Sequence, residues 1–434
     1  VNPALARSLA WLDRHANLEA TAGRVEGLSL ARMRAMVRAL GEPQRDFATI
    51  HVTGTNGKGS TSAMLSAILG EIGLSVGTYG SPHVSHIGER LQYNGQPIAD
   101  DDLVEVLAHI ERLEPHLAEP PSWFEIMTGA AYRWFADLAV DVAVVEVGKL
   151  GRYDATNVVD GEVAVVTNIG YDHTDGAEGW REAIAWEKAG IIRRDATLVL
   201  GEADPALRSV FAAEGPRRTV VRDEDFGCLD NRLAIGGRLV TLRTPDHDID
   251  DVFVSLYGAH QGDNAAIALA AAEAFLGTPV QRSVVDAAVG SISLPGRFEV
   301  VGRDPLVVVD GAHNPDGATV AAATWNESIA VAGRRHLLVG MLTERDPVDM
   351  LEALGARSFD TVTCCQPPSP RAYSGAELAA VARGMGVDAE AVEQPDEAYE
   401  AVLDEAQADD GVLVAGSLYL AGAARAAAGR HRAG

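Results

Sequence analysis

At 434 residues, 47% hydrophobic and 23% charged, the chain has a globular composition and is long for one core, so two domains are expected. Its formal charge of −26 argues against nonspecific binding to nucleic acid or to an anionic membrane, and any anionic ligand must be held by local groups working against that field. No apolar run is long enough for a bilayer span, "VNPALARSLAWLDRH" shows no export signal, and Cys228, Cys364 and Cys365 are too few for a disulfide framework, so a cytoplasmic protein is expected.

From Phe47 onward the chain predicts strand–turn–helix units. "FATIHVTG" is an apolar run that breaks on glycine, and "KGSTSAMLSAILGEIG" carries Ala63, Met64, Leu65, Ile68 and Leu69 at helical spacing. Strands follow at "LSVGTYGS", Val140–Gly148, Val163–Gly170 and Ala196–Gly201. Continuous apolar runs alternating with amphipathic helices predict a doubly wound, mainly parallel α/β sheet. The charged stretch from about Pro216 to Val254 reads as a small antiparallel excursion at the edge of this domain. After the helix "HQGDNAAIALAAAEAFLG", a second α/β series begins with "PLVVVDGAHNP" and runs through "HLLVGML", "DTVTCCQ" and "GVLVAGSLYL" to an Ala-rich final helix. The boundary is expected near Leu294–Arg303, dividing the chain into domains 1–295 and 296–434.

Of the 36 basic residues only Lys58, Lys149 and Lys188 are lysine. Where lysine persists, the chemistry can require a primary amine rather than a guanidinium. Lys58 lies in "GTNGKGS", comprising Gly54, Thr55, Asn56, Gly57, Lys58, Gly59 and Ser60, where a strand turns into a helix. Such a loop folds its amides around phosphate oxygens, and the lysine adds a point charge. A strict GxxxxGK[ST] pattern would need glycine at Val52, and the plain alternative is a glycine turn before a helix.

The loop is one of seven segments that occur in order: "HVTGTNGKGSTSAML", "GSPHVSHIGERLQYNG", "VVEVGKLGRYDATNVV", "NIGYDHTDGAEGWREAIAWEKAGII", "GAHQGDNAAIALAA", "LPGRFEVV" and "VVVDGAHNPDG". Together they closely resemble the folylpolyglutamate synthase and dihydrofolate synthase family of ATP-dependent Mur ligases, over about Gly27 to Ser417. The resemblance implies an N-terminal P-loop ATPase domain, a C-terminal Rossmann-like domain and an active site between them. It also implies phosphorylation of a carboxylate on dihydropteroate or a folate, followed by displacement of the phosphate by the amine of L-glutamate.

Residue roles follow from the same resemblance. Ser81, Glu146 and His173 match Mg²⁺ ligands, with two metal sites expected, although histidine is an unusual partner for an ion that prefers oxygen. Lys188 in "WEKAGII" matches a lysine carbamylated by CO₂; the plain alternative is a surface partner of Glu182 or Glu187. Asn264, Arg297 and Asp310 match nucleotide contacts, and His313, Arg90 and Ser417 a glutamate pocket. Alone, Asp310 or Ser417 reads equally well as a helix cap and Arg90 as a surface pair. The acceptor is expected at Gly27, Leu28, Ser29, Phe124, Tyr153, Asp154 and Ala155.

Lys149 departs from the family pattern, in which an apolar residue and two glycines stand between Gly148 and Arg152. It is read either as a solvated cation or as a contact to a carboxylate, on the acceptor or on Asp154. The competing functions are another Mur-type amide ligase and a P-loop switch that ligates nothing. The partners expected are ATP, L-glutamate and the pteroate or folate acceptor, for a monomeric enzyme.

Overall fold

The computed structural model describes residues 2–17, 29–149, 151–171 and 178–433. Its chain divides into two compact units. The first comprises Val1–Arg232, Leu239–Val254 and Gln261–Ile292, and the second Leu233–Arg238, Ser255–His260 and Ser293–Gly434.

The first unit opens with helices α1 (Pro3–Leu12) and α2 (Ala31–Ala39), then strand β1 (Ala48–Thr53) and helix α3 (Lys58–Glu71). Next come β2 (Val76–Tyr79), β3 (Leu91–Tyr93), β4 (Gln96–Pro97), α4 (Asp100–Leu113) and α5 (Trp123–Asp137). Strands β5 (Val142–Glu146) and β6 (Val163–Val166), helix α6 (Trp180–Ala189), β7 (Thr197–Leu200), α7 (Arg208–Ala212) and β8 (Arg218–Val221) complete the main sheet. Its strand order is β4-β3-β2-β5-β1-β6-β7-β8. Strands β2, β5, β1, β6, β7 and β8 run parallel, and β3 and β4 add an antiparallel edge. Every residue of β5, β6 and β7 is buried, as uninterrupted apolar strands covered on both faces must be.

Register assigns the faces. His51 lies level with Val145 and Ala164, and Val52 with Glu146 and Val165. Residues level in a parallel ladder share a face. Ala143 and Val145 pack with Met127, Ala131 and Phe135 of α5, while Ala164 and Val166 pack with Ala185 and Ala189 of α6. His51 therefore points to the α5/α6 side and Glu146 to the opposite one.

Strands β9 (Gly227–Ala234), β10 (Gly237–Arg243) and β11 (Asp248–Val254) form a three-stranded sheet of their own, ordered β11-β10-β9. The two-residue link from β9 to β10 requires an antiparallel hairpin, and its Gly236 takes φ +81°. The expected excursion is thus present, but as a separate sheet. Helices α8 (His260–Leu276) and α9 (Arg282–Val289) follow.

The second unit alternates β12 (Glu299–Arg303), β13 (Leu306–Val309), α10 (Pro315–Ser328), β14 (Arg335–Val339) and α11 (Pro347–Ala353). It continues with β15 (Thr361–Cys364), α12 (Gly375–Gly384), β16 (Ala389–Ala391), α13 (Pro395–Glu405), β17 (Gly411–Ala415) and α14 (Leu418–Ala433). The sheet order is β12-β13-β17-β14-β15-β16, parallel throughout except for β12. The last expected strand, "GVLVAGSLYL", stops early. Gly416 turns at φ +112° and the Ser417 hydroxyl accepts the Leu420 N–H at 3.1 Å, so "LYL" opens α14 instead.

Candidate active site

Lys58 and Lys188 meet at one atom. In the loop between β1 and α3, the Lys58 Nζ donates to the carbonyls of Gly54 at 3.0 Å and Thr55 at 3.1 Å. Lys188, in the last turn of α6 and only 7% exposed, donates to the same Gly54 carbonyl at 2.9 Å. Two of the three lysines of the chain thus lie within hydrogen-bond reach of a single oxygen.

The loop that carries them is tightly fixed. Thr55 N–H donates to the Asn168 carbonyl and Asn56 N–H to the Asn168 side chain. Thr167 Oγ1 and Asn168 Nδ2 donate to the Asn56 carbonyl at 2.6 and 3.1 Å. Glycine is obligatory at two places. Gly54 has φ +148° and a Cβ there would stand 1.8 Å from Thr167 Oγ1. At Gly57, φ +81°, it would stand 2.5 Å from Asn264 Oδ1, which is how α8 touches the loop. No side chain caps α3, so its first amides are free to meet an anion, as the sequence reading of Gly54–Ser60 requires.

Ser81 and Glu146 follow or end the neighbouring parallel strands β2 and β5, the end of an open sheet where ligands gather. Glu146 is 5% exposed, and its Oε2 lies 3.3 Å from where Gly80 would carry a Cβ and 3.7 Å from that of Gly59. Two glycines leave the space into which this carboxylate projects. A serine hydroxyl and a carboxylate are hard oxygen donors that suit Mg²⁺. His173 lies outside the described residues, as do Gly27 and Leu28. Among the described residues no group of three His, Cys, Asp or Glu side chains could hold a metal ion.

The expected acceptor residues fall partly together. A Cβ on Gly148 would meet Phe124 at 2.6 Å and Asp154 Oδ2 at 3.2 Å, so these three converge. Asp154 is buried and its Oδ1 accepts the Thr156 N–H at 3.0 Å and hydroxyl at 2.6 Å. Having donated to Asp154, the Thr156 hydroxyl accepts from His51 Nε2 at 3.0 Å, which assigns the Nε2–H tautomer to this buried imidazole. Sequence reading missed His51 and Thr156 as supports of Asp154; a histidine inside an apolar strand was the available signal. Ala155 is buried, Tyr153 is 37% exposed, and the exposed Ser29 accepts the Ala31 N–H at 3.1 Å.

Arg90 is not a surface residue. It is 3% exposed, donates from Nε to His83 Nδ1 at 2.9 Å, and stacks 4.7 Å from the Trp123 ring centroid, next in sequence to Phe124.

Lys149 meets Asp154 through the main chain, its N–H donating to Asp154 Oδ2 at 3.2 Å, and the residue is exposed. The glycine that remains nearby serves close approach rather than a left-handed backbone. A Cβ at Gly151 would lie 2.3 Å from the Glu187 carbonyl and 2.7 Å from Lys188 Cα, and the Arg152 N–H donates to that carbonyl at 2.7 Å. The loop is seated on the turn that carries Lys188. Beside it, burial raises the Glu187 carboxyl above its ordinary range, opposed by Arg152 and Lys188.

In the second unit Asp310 follows β13 and Arg297 precedes β12. Asp310 accepts the Phe298 N–H at 2.9 Å on one oxygen and the Ala312 N–H at 2.8 Å on the other. Burial pushes its carboxyl above the ordinary value, and the Arg297 guanidinium with the two amides pulls it back. Asp310 is not the cap of α10; Asn314 is, accepting the Gly317 N–H at 2.7 Å. His313 Nδ1 lies 3.3 Å from the Gly311 carbonyl, and Arg345, which the sequence did not single out, donates to the His313 carbonyl at 3.1 Å. Ser417 is 1% exposed and caps α14, the structural role weighed for it.

The chain matches the Mur ligase middle domain over residues 126–272 and the Mur ligase glutamate ligase domain over residues 296–418. A dihydrofolate synthase/folylpolyglutamate synthase of Mycobacterium tuberculosis is 36% identical, over 93% of this chain and 90% of that protein. Among solved structures, Mycobacterium tuberculosis folylpolyglutamate synthase complexed with ADP superposes with a TM-score of 0.91 at 34% identity, covering 99% of both chains. Escherichia coli FolC in complex with DHPP and ADP gives 0.86 at 30% identity, over 99% of this chain and 98% of that one. The bifunctional folylpolyglutamate synthase/dihydrofolate synthase of Yersinia pestis, complexed with AMPPNP and a Mn ion, gives 0.84 at 31% identity and 98% of each.

Proposed function

This chain belongs to the dihydrofolate synthase/folylpolyglutamate synthase family of ATP-dependent Mur ligases, and we propose that it joins L-glutamate to dihydropteroate, to reduced folates, or to both. In the first step an acceptor carboxylate oxygen attacks the γ-phosphorus of ATP and ADP leaves. In the second the glutamate amine attacks the acyl carbon, phosphate leaves and the amine loses a proton. The observation that carries this reading is the convergence of Lys58 and Lys188 on the Gly54 carbonyl. An anionic carboxylate must approach an anionic triphosphate, and the Lys58 cation offsets that repulsion, while Lys188 beside it is the amine placed to react.

Within this reading Gly54–Ser60 and Asn264 hold the nucleotide, with Arg297 and Asp310 assigned to it from the second unit. Ser81, Glu146 and His173 would hold Mg²⁺, with two metal positions in all, and the ion would neutralise phosphate charge. Carbamylation of Lys188 turns its amine from a second cation beside Lys58 into an anion, so a like-charge pair becomes an attractive one. Gly27, Leu28, Ser29, Phe124, Tyr153, Asp154 and Ala155 face the acceptor, and Arg90, His313 and Ser417 the incoming glutamate. We assign ATP binding to residues 1–295 and the glutamate-ligase portion to 296–434, in a monomeric cytoplasmic enzyme. No helix among the described residues is long and apolar enough to cross a membrane.

The test is phosphate release over a panel of dihydropteroate, tetrahydrofolate and Mur-type cell-wall precursors, each with and without L-glutamate. Release that requires both glutamate and a pteridine acceptor is expected. Slow hydrolysis indifferent to both, or turnover only with a cell-wall precursor, would overturn the assignment.

A further inference from the structure

A cavity of about 710 Å³ in the first unit is walled by α2, the turn Pro43–Arg45, the Arg152–Asp160 segment and the chain just after α6. Its size is that of a small-molecule site. Five arginines line it, Arg34, Arg38, Arg45, Arg152 and Arg193, against two carboxylates, Glu42 and Asp160. On a chain of net charge −26, that local excess of positive charge runs against the whole. Arg45 pairs with Glu42 at 3.2 Å, Arg193 with the highly exposed Asp160 at 3.6 Å, and Arg152 with Glu214 outside the cavity. Arg34 and Arg38 have no carboxylate partner among the described residues, yet they stand four apart on α2, a spacing at which like charges repel. A second feature is independent of charge. Gln44 is 5% exposed, lines the cavity, and its Oε1 has no hydrogen-bond partner among the described residues. A buried amide left unsatisfied costs free energy that a ligand can return.

Hydrogen bonds join this wall to the turn that carries Lys188. Gly190, two residues beyond Lys188, lines the cavity, and its carbonyl accepts Asn157 Nδ2 at 3.0 Å and Arg193 Nη1 at 3.3 Å. Arg193 Nη2 donates further to the carbonyls of Asn157 at 3.2 Å and Val159 at 2.9 Å. Asn157 Nδ2 also reaches the Arg152 carbonyl at 3.0 Å, and the Arg152 N–H donates to the Glu187 carbonyl at 2.7 Å. Lys188 in turn donates to Gly54 of the phosphate loop. One cavity arginine, Arg193, thus holds together the loop of Asp154 and the turn of Lys188.

Guanidinium forks on α2, on the Pro43–Arg45 turn and after α6 line separate walls, which suits two phosphate groups better than one. Two phosphate esters bring about three to four negative charges at pH 7, on the scale of the arginine excess, where two carboxylates would leave part of it unmet. Leu30, Val37 and Val158 offer an apolar wall to a carbon skeleton, and a ligand hydroxyl can supply the donor that Gln44 lacks. We propose that this cavity is an effector site for an organic bisphosphate carrying hydroxyl groups, a class apart from the acceptor, the amino acid and the nucleotide of the ligase reading. Its phosphates draw Arg193 off the carbonyls of Gly190 and Val159, the Lys188 turn loosens, and turnover falls. Binding is independent of the ligase reading; the effect on rate rests on the part that reading gives Lys188.

The test is calorimetric titration of the full chain with fructose 1,6-bisphosphate as the probe, the phosphate loop being kept occupied by saturating Mg²⁺ and ADP. One site is expected in the wild type and none for uncharged fructose. Arg34→Ala/Arg38→Ala should weaken the probe about tenfold or more, and Arg34→Lys/Arg38→Lys should recover part of the loss, which a folding defect would not. At saturating ATP, glutamate-dependent phosphate release by the wild type should fall about fivefold or more when the probe saturates, and the alanine variant at the same probe concentration should keep its rate. No binding, equal binding to the wild type and the alanine variant, or inorganic phosphate binding as tightly as the probe would overturn the proposal. Displacement of the probe by dihydropteroate would also overturn it, by making the cavity part of the acceptor site, and so would saturation with no change in rate. In each of those cases the ligase reading stands; it fails separately if the wild type without probe turns over no pteridine acceptor.

Discussion

His51 is wholly buried in β1, and burial together with the positive charge of Arg193 lowers its pKa to about 3. In the unfolded chain the same imidazole titrates near its ordinary value of about 6.5. Between those two values the unfolded state binds a proton that the folded state refuses. Stability from this residue is therefore complete above pH ~6.5, falls by about 1.4 kcal/mol per pH unit on acidification, and levels off near pH ~3. At pH 5 the loss comes to about 2 kcal/mol, a sizeable part of the margin of a typical fold. Urea unfolding at pH 7 and pH 5, followed by tryptophan fluorescence, reads this in the right place. Trp11, Trp123, Trp134, Trp180 and Trp186 lie in the first unit, and Trp325 alone in the second. That separation matters because His260, assigned to the second unit, is also held neutral, its pKa lowered to about 4 by burial and by Arg297 and Arg238. His51→Gln, which cannot take up the proton, should lose about 2 kcal/mol less than the wild type over the same interval. Equal losses in the two proteins would refute a neutral, buried His51.

Three further outcomes are expected. Lys58→Ala should lower glutamate-dependent phosphate release by about a hundredfold or more, and near-normal turnover would remove the loop from the chemistry. Lys188→Arg keeps a cation at the Gly54 carbonyl but cannot form a carbamate, so activity should fall about 10- to 100-fold, and a ¹³C carbamate resonance present in the wild type under labelled bicarbonate should vanish. Full activity in that variant, or no such resonance in the wild type, would count against carbamylation. Lys149→Leu leaves the main-chain bond to Asp154 in place, so acceptor KM should stay within about twofold, as exposed charges contribute little; a larger rise would show that the side chain reaches the acceptor.

The parallel sheets were legible because their strands are continuous apolar runs, and "VDVAVVEVG", "VAVVTNIG" and "ATLVLG" each became a buried strand. The edge strands were not. Leu91–Tyr93 and Gln96–Pro97 are short and partly exposed, so alternation has too few residues in which to show. At the site, the loop was readable as a local pattern, whereas what holds it was not. Asn264 lies more than two hundred positions beyond Gly57, and Thr167 and Asn168 more than a hundred beyond Asn56; the pairing of β1 with β6 brings the latter two in, and the packing of α8 brings in Asn264.

Lysine scarcity cuts both ways in this chain. It makes Lys58 and Lys188 conspicuous, and the structure brings both to the Gly54 carbonyl, where a primary amine differs most from a guanidinium: its charge is compact and it can react. At Lys149 the bond to Asp154 comes from the main chain, a contact that any residue but proline could make, so that bond gives no reason for a lysine there. For arginine the same bias hides the signal. With nearly every basic position filled by it, Arg34, Arg38, Arg45 and Arg193 look in sequence like ordinary solvated charges. Only the packing of α2 beside the Pro43–Arg45 turn and the chain after α6 gathers them around one cavity. Gly151 is a parallel case: the sequence reads a glycine in a loop as freedom at φ, whereas here its missing Cβ lets the loop lie against the backbone of Lys188. Adding side chain at 151 should therefore disturb the Lys188 turn itself, whereas the exposed position 149 has room for a long side chain.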